Sequence, residues 1–415
     1  MRYKDAMQGE TRYIQLIFFD AGGGHRAAAE ALSAVLADRH PRWRVEIVNL
    51  QEVLKSADPL FILTGKPAQD YYNAALKMGL TYGSRPFLRG MQSLITLCAS
   101  RIEEVLREHW ANSGDIDAVV SLIPNFNRVM FRSLRAVCPH TPYVTIMTDM
   151  ADSPPHFWQE EQDQYIICGT ALAARQARET GWYRPERIFE TSGMILRPSF
   201  YQNTATITRG DLGLAGDKMT AIIMFGGYGS KDAKLIVEKL AKAKPDIQSI
   251  VMCGRNDELR AALQHVPSCH AVGYTRDVAA YMRLADFFIG KPGPGSISEA
   301  WHMGLPVIVE RNAATMIQER PNVAVIEQTG TGVAVGSFRS IARTLRAIIA
   351  DGRLDAMRAN VARLDNRAVF EIPDILNHIM AQPADTAQIV PLKPRRRRIV
   401  RLARRWAGRR KRKSA

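Results

Sequence analysis

Apolar residues in this chain come in short runs, each followed by a turn and then by apolar positions at helical spacing. Residues 13–19 (Tyr-Ile-Gln-Leu-Ile-Phe-Phe) form the first such run, and residues 27–36, rich in alanine and leucine, follow with the period of a helix. Residues 44–50 then alternate as a strand. Strand, tight turn, helix and strand in that order predict a βαβ unit of an open parallel sheet. Further strands are predicted at 118–122, 143–147 and 164–168. The pattern restarts at 220–225 and continues at 249–253, 285–289 and 306–310. The polar stretch 202–218 reads as a linker between two such systems. The fold class is therefore α/β: two Rossmann-like domains, 11–200 and 215–382, facing a cleft, followed by a tail at 383–415. In sheets of this kind ligands gather at the carboxyl ends of the strands. Residues 56–100 break the pattern. Their prolines, aromatic residues and leucines predict either a helical cap or an apolar acceptor-binding surface.

Composition changes this picture mainly at the C-terminus. A chain of 415 residues that is 46% hydrophobic can build two full cores. No apolar run approaches the roughly 20 residues that a membrane-spanning helix needs. The polar N-terminus gives no sign of a signal peptide. Five scattered cysteines, none in a Cys-x-x-Cys pair, fit reduced thiols. Of the net charge of +15, residues 393–413 carry 13 Lys or Arg and no acid, which leaves the body near neutrality. A nucleic-acid-binding role for the whole fold is thereby disfavoured. Within the tail, Ile399, Leu402, Ala403 and Trp406 recur every three to four residues among arginines. That pattern fits an amphipathic helix on an anionic membrane surface, or else a solvated basic tail.

The candidate chemistry sits in glycine-rich turns between strands and helices. Gly22-Gly23-Gly24-His25 lets a ligand approach the backbone closely, and free N–H groups at the helix start favour negative charge there. His25 is a candidate general base, or a helix-start histidine that bonds a neighbouring loop. Gly226-Gly227-Tyr228-Gly229-Ser230 repeats the arrangement in the second half. Lys291-Pro292-Gly293-Pro294-Gly295-Ser296 precedes a third helix, where Ser296 is a candidate cap or phosphate donor. Glu299 could grip a ribose or return to the Ser296 backbone as a capping box. His156, in the loop 149–158, is a candidate for the acceptor side or a solvent-facing histidine.

Taken together, these motifs resemble the glycosyltransferase family of monogalactosyldiacylglycerol synthases and processive diacylglycerol glucosyltransferases. The peptidoglycan-precursor N-acetylglucosaminyltransferase is a more distant relative of that family. The similarity runs through Gly22 to Ala31, Thr148-Asp149, Met252 to Asn256, Val272-Gly273-Tyr274, Gly293 to Ala300 and Gln318 to Val323, in order and spacing. The resemblance implies a GT-B architecture and an inverting transfer that uses no metal or other cofactor, with a UDP-sugar as co-substrate. It implies that Glu299 holds the ribose, with Gly227, Gly229, Gly295 and Ser296 near the diphosphate. By the same match Gly273, Tyr274 and Thr275 face the uracil, and Gln318, Glu319 and Asn322 take sugar hydroxyls. On the acceptor side it implies Gly23, Gly24 and His25, with Asp149 as a second base or as the group that orients one. Pro292 and Pro321 depart from the family pattern and put the sugar's identity in question. The expected enzyme is a peripheral hexosyltransferase at the cytoplasmic face of a membrane, with diacylglycerol as acceptor. A polyprenyl-linked or other amphipathic acceptor, or an inactive scaffold that binds membrane or nucleic acid, stays open.

Overall fold

The computed structural model describes residues 10–20, 23–57, 84–202, 207–227, 229–242 and 247–382, with only the backbone of 84–87 and 89. The basic tail, Tyr228 and the aromatic stretch 58–83 lie outside the described residues. The described residues up to Gln382 form one compact unit built on two six-stranded, wholly parallel sheets.

The first sheet has the order β2-β1-β3-β4-β5-β6, with β1 at Tyr13–Phe18, β2 at Arg44–Asn49, β3 at Ala118–Ser121, β4 at Tyr143–Ile146, β5 at Tyr165–Cys168 and β6 at Ile188–Glu190. Helix α1, Gly24–Arg39, joins β1 to β2. A short turn of helix, α2 at Leu50–Val53, follows β2, and the long helix α3, Ser84–Ala111, precedes β3. Helix α4 is Asn127–Val137 and α5 is Ala171–Thr180. In the second sheet the order is β12-β11-β10-β7-β8-β9. Its strands are β7 (Met219–Met224), β8 (Ile247–Gly254), β9 (Cys269–Gly273), β10 (Phe287–Gly290), β11 (Val307–Glu310) and β12 (Gly332–Val335). Its helices are α6 (Lys231–Ala241), α7 (Asp257–Leu263), α8 (Val278–Met282), α9 (Pro294–His302), α10 (Arg320–Thr329), α11 (Ile341–Ala350) and α12 (Arg353–Val361).

Strands β3, β4, β5 and β10 are buried at every position, as parallel strands covered by helices on both faces must be. The short strands β6, β9 and β12 were not anticipated from the pattern. All three lie at sheet edges, so each pairs on one side only and needs less apolar sequence. In each sheet the strand order reverses beside the first strand: between β1 and β3, and between β7 and β10. These reversals open a crevice at the strands' carboxyl ends. The glycine turns after β1, β7 and β10 all lie there.

Helix α3 answers part of the question raised by residues 56–100. Ile95, Ile102, Leu106 and Trp110 turn inward into the first core, while Leu97 is 71% exposed. The last helix among the described residues, α13 at Ala368–Ala381, falls within the numbering of the second domain but packs on the first sheet. Its Ile372, Leu376 and Ile379 join the cluster of Ile14, Leu16, Leu32 and Leu36. Burying three such side chains contributes about 5 kcal/mol. At the crossing, Asn366 Nδ2 donates to the Met194 carbonyl at 2.9 Å, against Gly193, where a Cβ would sit 2.4 Å from the Asn366 side chain. Among the described residues, no helix is long and apolar enough to cross a membrane.

Candidate active site

On the first lobe the site is built on the ends of β1 and β4. Gly23 caps α1 with a left-handed backbone (φ +84°), a conformation that favours glycine, and a Cβ at Gly23 or Gly24 would meet no atom within 4 Å. His25 is the second residue of α1. Its Nδ1 lies 3.0 Å from Thr148 Oγ1, and its ring centroid is 6.0 Å from that of Trp158. Burial pushes the imidazole down to about 4, and the Leu122 carbonyl offsets this only in part, so His25 is neutral at pH 7.

Asp149 follows Thr148 and is buried. Its Oδ2 accepts a hydrogen bond from Trp158 Nε1 at 2.8 Å, so its carboxylate is engaged by the indole while Thr148 holds His25. Burial raises Asp149 to about 7. The Trp158 bond and Lys291 pull it down, whereas Glu319 and Asp152 push it up. Lys291 and Glu319 belong to the second lobe, so charges from both lobes bear on Asp149. The loop 150–159 is wound around Asp152, which accepts the backbone N–H groups of His156 (2.8 Å) and Trp158 (2.7 Å) and so sets the indole in place. The His156 ring is exposed and lies 5.0 Å from that of Trp182.

The second lobe supplies three glycine-lined turns. Gly226 and Gly229 have positive φ (+81° and +63°). Gly254 must also lack a side chain, because a Cβ there would sit 2.4 Å from the Gly227 carbonyl oxygen, while the other side of Gly227 is open. Beyond β9, the exposed Tyr274 ring lies under the Arg255 guanidinium at 4.8 Å, and Thr275 Oγ1 accepts the Asp277 N–H. Helix α9 starts at Pro294 with Gly293 as its cap and no side-chain capping bond, so of the two readings of Ser296, cap or phosphate donor, the cap is excluded. Proline suits that first position because the N–H it lacks would have no helical partner. Nor does the carboxylate of Glu299 close a capping box: its Oε1 pairs with Arg197 Nη2 at 3.2 Å. Burial raises Glu299, and Arg197 partly reverses the shift.

Asn322 ties α10 to the turn before α9 through Nδ2, which donates to the Pro292 carbonyl at 2.8 Å. Its Oδ1 and the Gln318 Oε1 are buried without a hydrogen-bond partner. Such orphaned acceptors are costly unless a ligand's donors satisfy them. Lys291 Nζ lies 2.9 Å from Glu319 Oε1. The lobes meet here: Ser153 Oγ donates to the Ile317 carbonyl at 3.2 Å, Ile317 packs on the cluster around Trp158, and Met150 enters the second lobe's core. The loop after Asp149 is thereby held against the 317–319 segment. Trp158, Asp152, Arg197 and Lys291 had no assigned role in the sequence. The only signal for Trp158 was its place in the loop after Asp149, and Arg197 had none.

Two α/β lobes with their strand ends facing one cleft define a GT-B-type protein. The sequence profile of the glycosyltransferase family 28 C-terminal domain matches residues 221–378. The processive diacylglycerol β-glucosyltransferase of Bacillus licheniformis is 30% identical over 66% of this chain and 71% of its own length. The chloroplast monogalactosyldiacylglycerol synthase of Spinacia oleracea is 27% identical over 91% of this chain and 74% of its own. Among solved structures, one from Listeria monocytogenes described as a UDP-N-acetylglucosamine 2-epimerase superposes with a TM-score of 0.58. It shares 15% identity over 91% of this chain and 99% of its own, a likeness of fold alone. The chain belongs to the glycosyltransferase family of the monogalactosyldiacylglycerol synthases and processive diacylglycerol glucosyltransferases.

Proposed function

We propose that this protein is an inverting glycosyltransferase that moves a hexose from a UDP-sugar to the hydroxyl of a membrane lipid, with diacylglycerol as the acceptor. The observations that carry the reading are a buried carboxylate, Asp149, on which the charges of Lys291 and Glu319 from the other lobe bear, and the buried oxygens of Gln318 and Asn322 beside Glu319, which have no hydrogen-bond partner. The names of the sequence relatives support the lipid acceptor.

In this reading Glu299 takes the ribose hydroxyls while its Oε1 stays paired with Arg197. Gly273, Tyr274 and Thr275 face the uracil, and Gly227, Gly229, Gly295 and Ser296 offer N–H groups to the diphosphate. Gln318, Glu319 and Asn322 hold the sugar. The acceptor enters over Gly23 and Gly24, where no side chain blocks the backbone, with His156 at the outer edge. Its hydroxyl oxygen attacks the anomeric carbon, its proton passes to Asp149, and the bond to the diphosphate oxygen breaks so that UDP leaves with the electron pair. Neutral His25, fixed by Thr148, positions the hydroxyl. The basic segment 393–413 docks the enzyme on an anionic surface at the cytoplasmic face, where a lipid acceptor is within reach.

The test is transfer of label from a panel of radiolabelled UDP-sugars into diacylglycerol-containing vesicles. His25→Ala and Glu299→Ala should each abolish lipid labelling while the circular dichroism spectrum is unchanged. Full labelling by both variants would remove the site assignment.

A further inference from the structure

The diphosphate of a UDP-sugar carries two negative charges and gains a third as UDP departs, and helix α9 offers few N–H groups to it. The first bond within helix α9 runs from the Ile297 N–H to the Gly293 carbonyl, and Pro294 has no N–H. Only Gly295 and Ser296 are left to donate at that helix start, where the macrodipole amounts to about half a charge. A full positive charge is needed beside them. Arg197 is committed to Glu299 and to the Arg276 carbonyl, and Arg255 stacks on Tyr274. Lys291 is placed differently. It sits between β10 and the Gly293 turn, and its Cε and the Glu319 Oε1 lie 3.5 and 3.6 Å from where a Gly293 side chain would begin. Gly295, next along, has open space around it. The Lys291 side chain is 41% exposed whereas Glu319 is 6% exposed, so an incoming anion meets the amine first.

We propose that Lys291 is the cation that binds the diphosphate of the donor, and that it does so by exchanging its bond to Glu319 for one to a phosphate oxygen, which releases Glu319 to accept the hydroxyls of the sugar. This rests on the donor site described above and adds an order of events to it. Without the donor, Lys291 and Glu319 neutralise each other. With it, the phosphate takes the ammonium, and the sugar's O–H groups replace the lost N–H donor on a buried carboxylate that would otherwise be stranded. Occupancy of the phosphate position and recognition of the sugar are thereby coupled through one ion pair.

The two halves of the exchange have opposite signs in UDP binding, measured by titration calorimetry on the full-length protein. Lys291→Met should weaken UDP by about tenfold, the loss of one charge-assisted hydrogen bond, and Lys291→Arg should restore most of it. Glu319→Gln should leave UDP affinity equal or tighter, because the lysine no longer has to be released, while lowering kcat for sugar transfer. A Glu319 that merely braced the turn would weaken UDP when changed, and that result would overturn the exchange. Glu299→Ala serves as the reference. If it loses UDP while Lys291→Met binds at the wild-type level, the Lys291 inference fails and the donor site stands. If both bind as the wild type does, the donor site itself is misplaced. Melting curves for each variant separate loss of binding from loss of fold.

Discussion

Burial makes a carboxylate hold its proton to a higher pH than a solvated one, and in Asp149 this outweighs the hydrogen bond from the Trp158 indole. With a value of about 7, Asp149 is half ionised near neutrality, and a base in that range both accepts a proton and is present in the right form. His25, at about 4, is neutral through the whole physiological range and holds a proton weakly. The two candidates therefore predict different pH profiles. With Asp149 as the base, kcat/KM should rise about tenfold per unit up to about pH 7 and then level off. A profile already flat from pH 5 would transfer the role to His25. The same shift has a stability consequence. Because the folded value lies above the unfolded one, the ionised carboxylate costs stability, and the cost grows as pH rises from about 4 to about 7. Asp149→Asn should thus abolish transfer yet raise stability at pH 8 by about 2–4 kcal/mol in urea unfolding. His25 and the Thr148-Asp149 pair were legible as candidates from residue type and motif. Which of them bonds to which was not, since neither Trp158 nor Thr148 is near His25 in the chain.

Among the elements, the turns were the most legible and the helices' destinations the least. Glycine turns after β1 and β7 follow from composition, because a left-handed backbone excludes most other residues. The start of α9 shows where local reasoning stopped. Ser296 and Glu299 have the spacing of a capping box, but Gly293-Pro294 begins the helix earlier and Arg197, 102 residues away, claims the carboxylate. Likewise the apolar stripe of α13 announces a buried face without naming the sheet it covers. Leu376→Ala, which empties a fully buried position against α1 and β1, should destabilise the protein by about 2–5 kcal/mol in denaturant unfolding. If α13 were a loosely attached C-terminal element, the variant would unfold at the wild-type midpoint.

At the scale of the whole molecule, the proposed function uses two surfaces together: a cleft for the donor and a membrane for the acceptor. Removing residues 393–413 removes 13 cations. The truncated protein should bind anionic vesicles more weakly in sedimentation assays, with the difference fading at high salt, while UDP affinity stays constant. Unchanged vesicle binding together with lost affinity for RNA would reassign the tail. The order of residues by itself determined the α/β class, the two sheets, the turns that border the cleft and the uneven charge. These depend on periodicity, on glycine and on net charge, all of which are local properties of the chain. Only the tertiary structure decided that Asp149 comes within electrostatic reach of Lys291 and Glu319, that Arg197 holds Glu299, and that α13 returns to the first lobe. Each of these joins residues more than a hundred positions apart, and such contacts are chosen by the packing of sheets and helices as a whole.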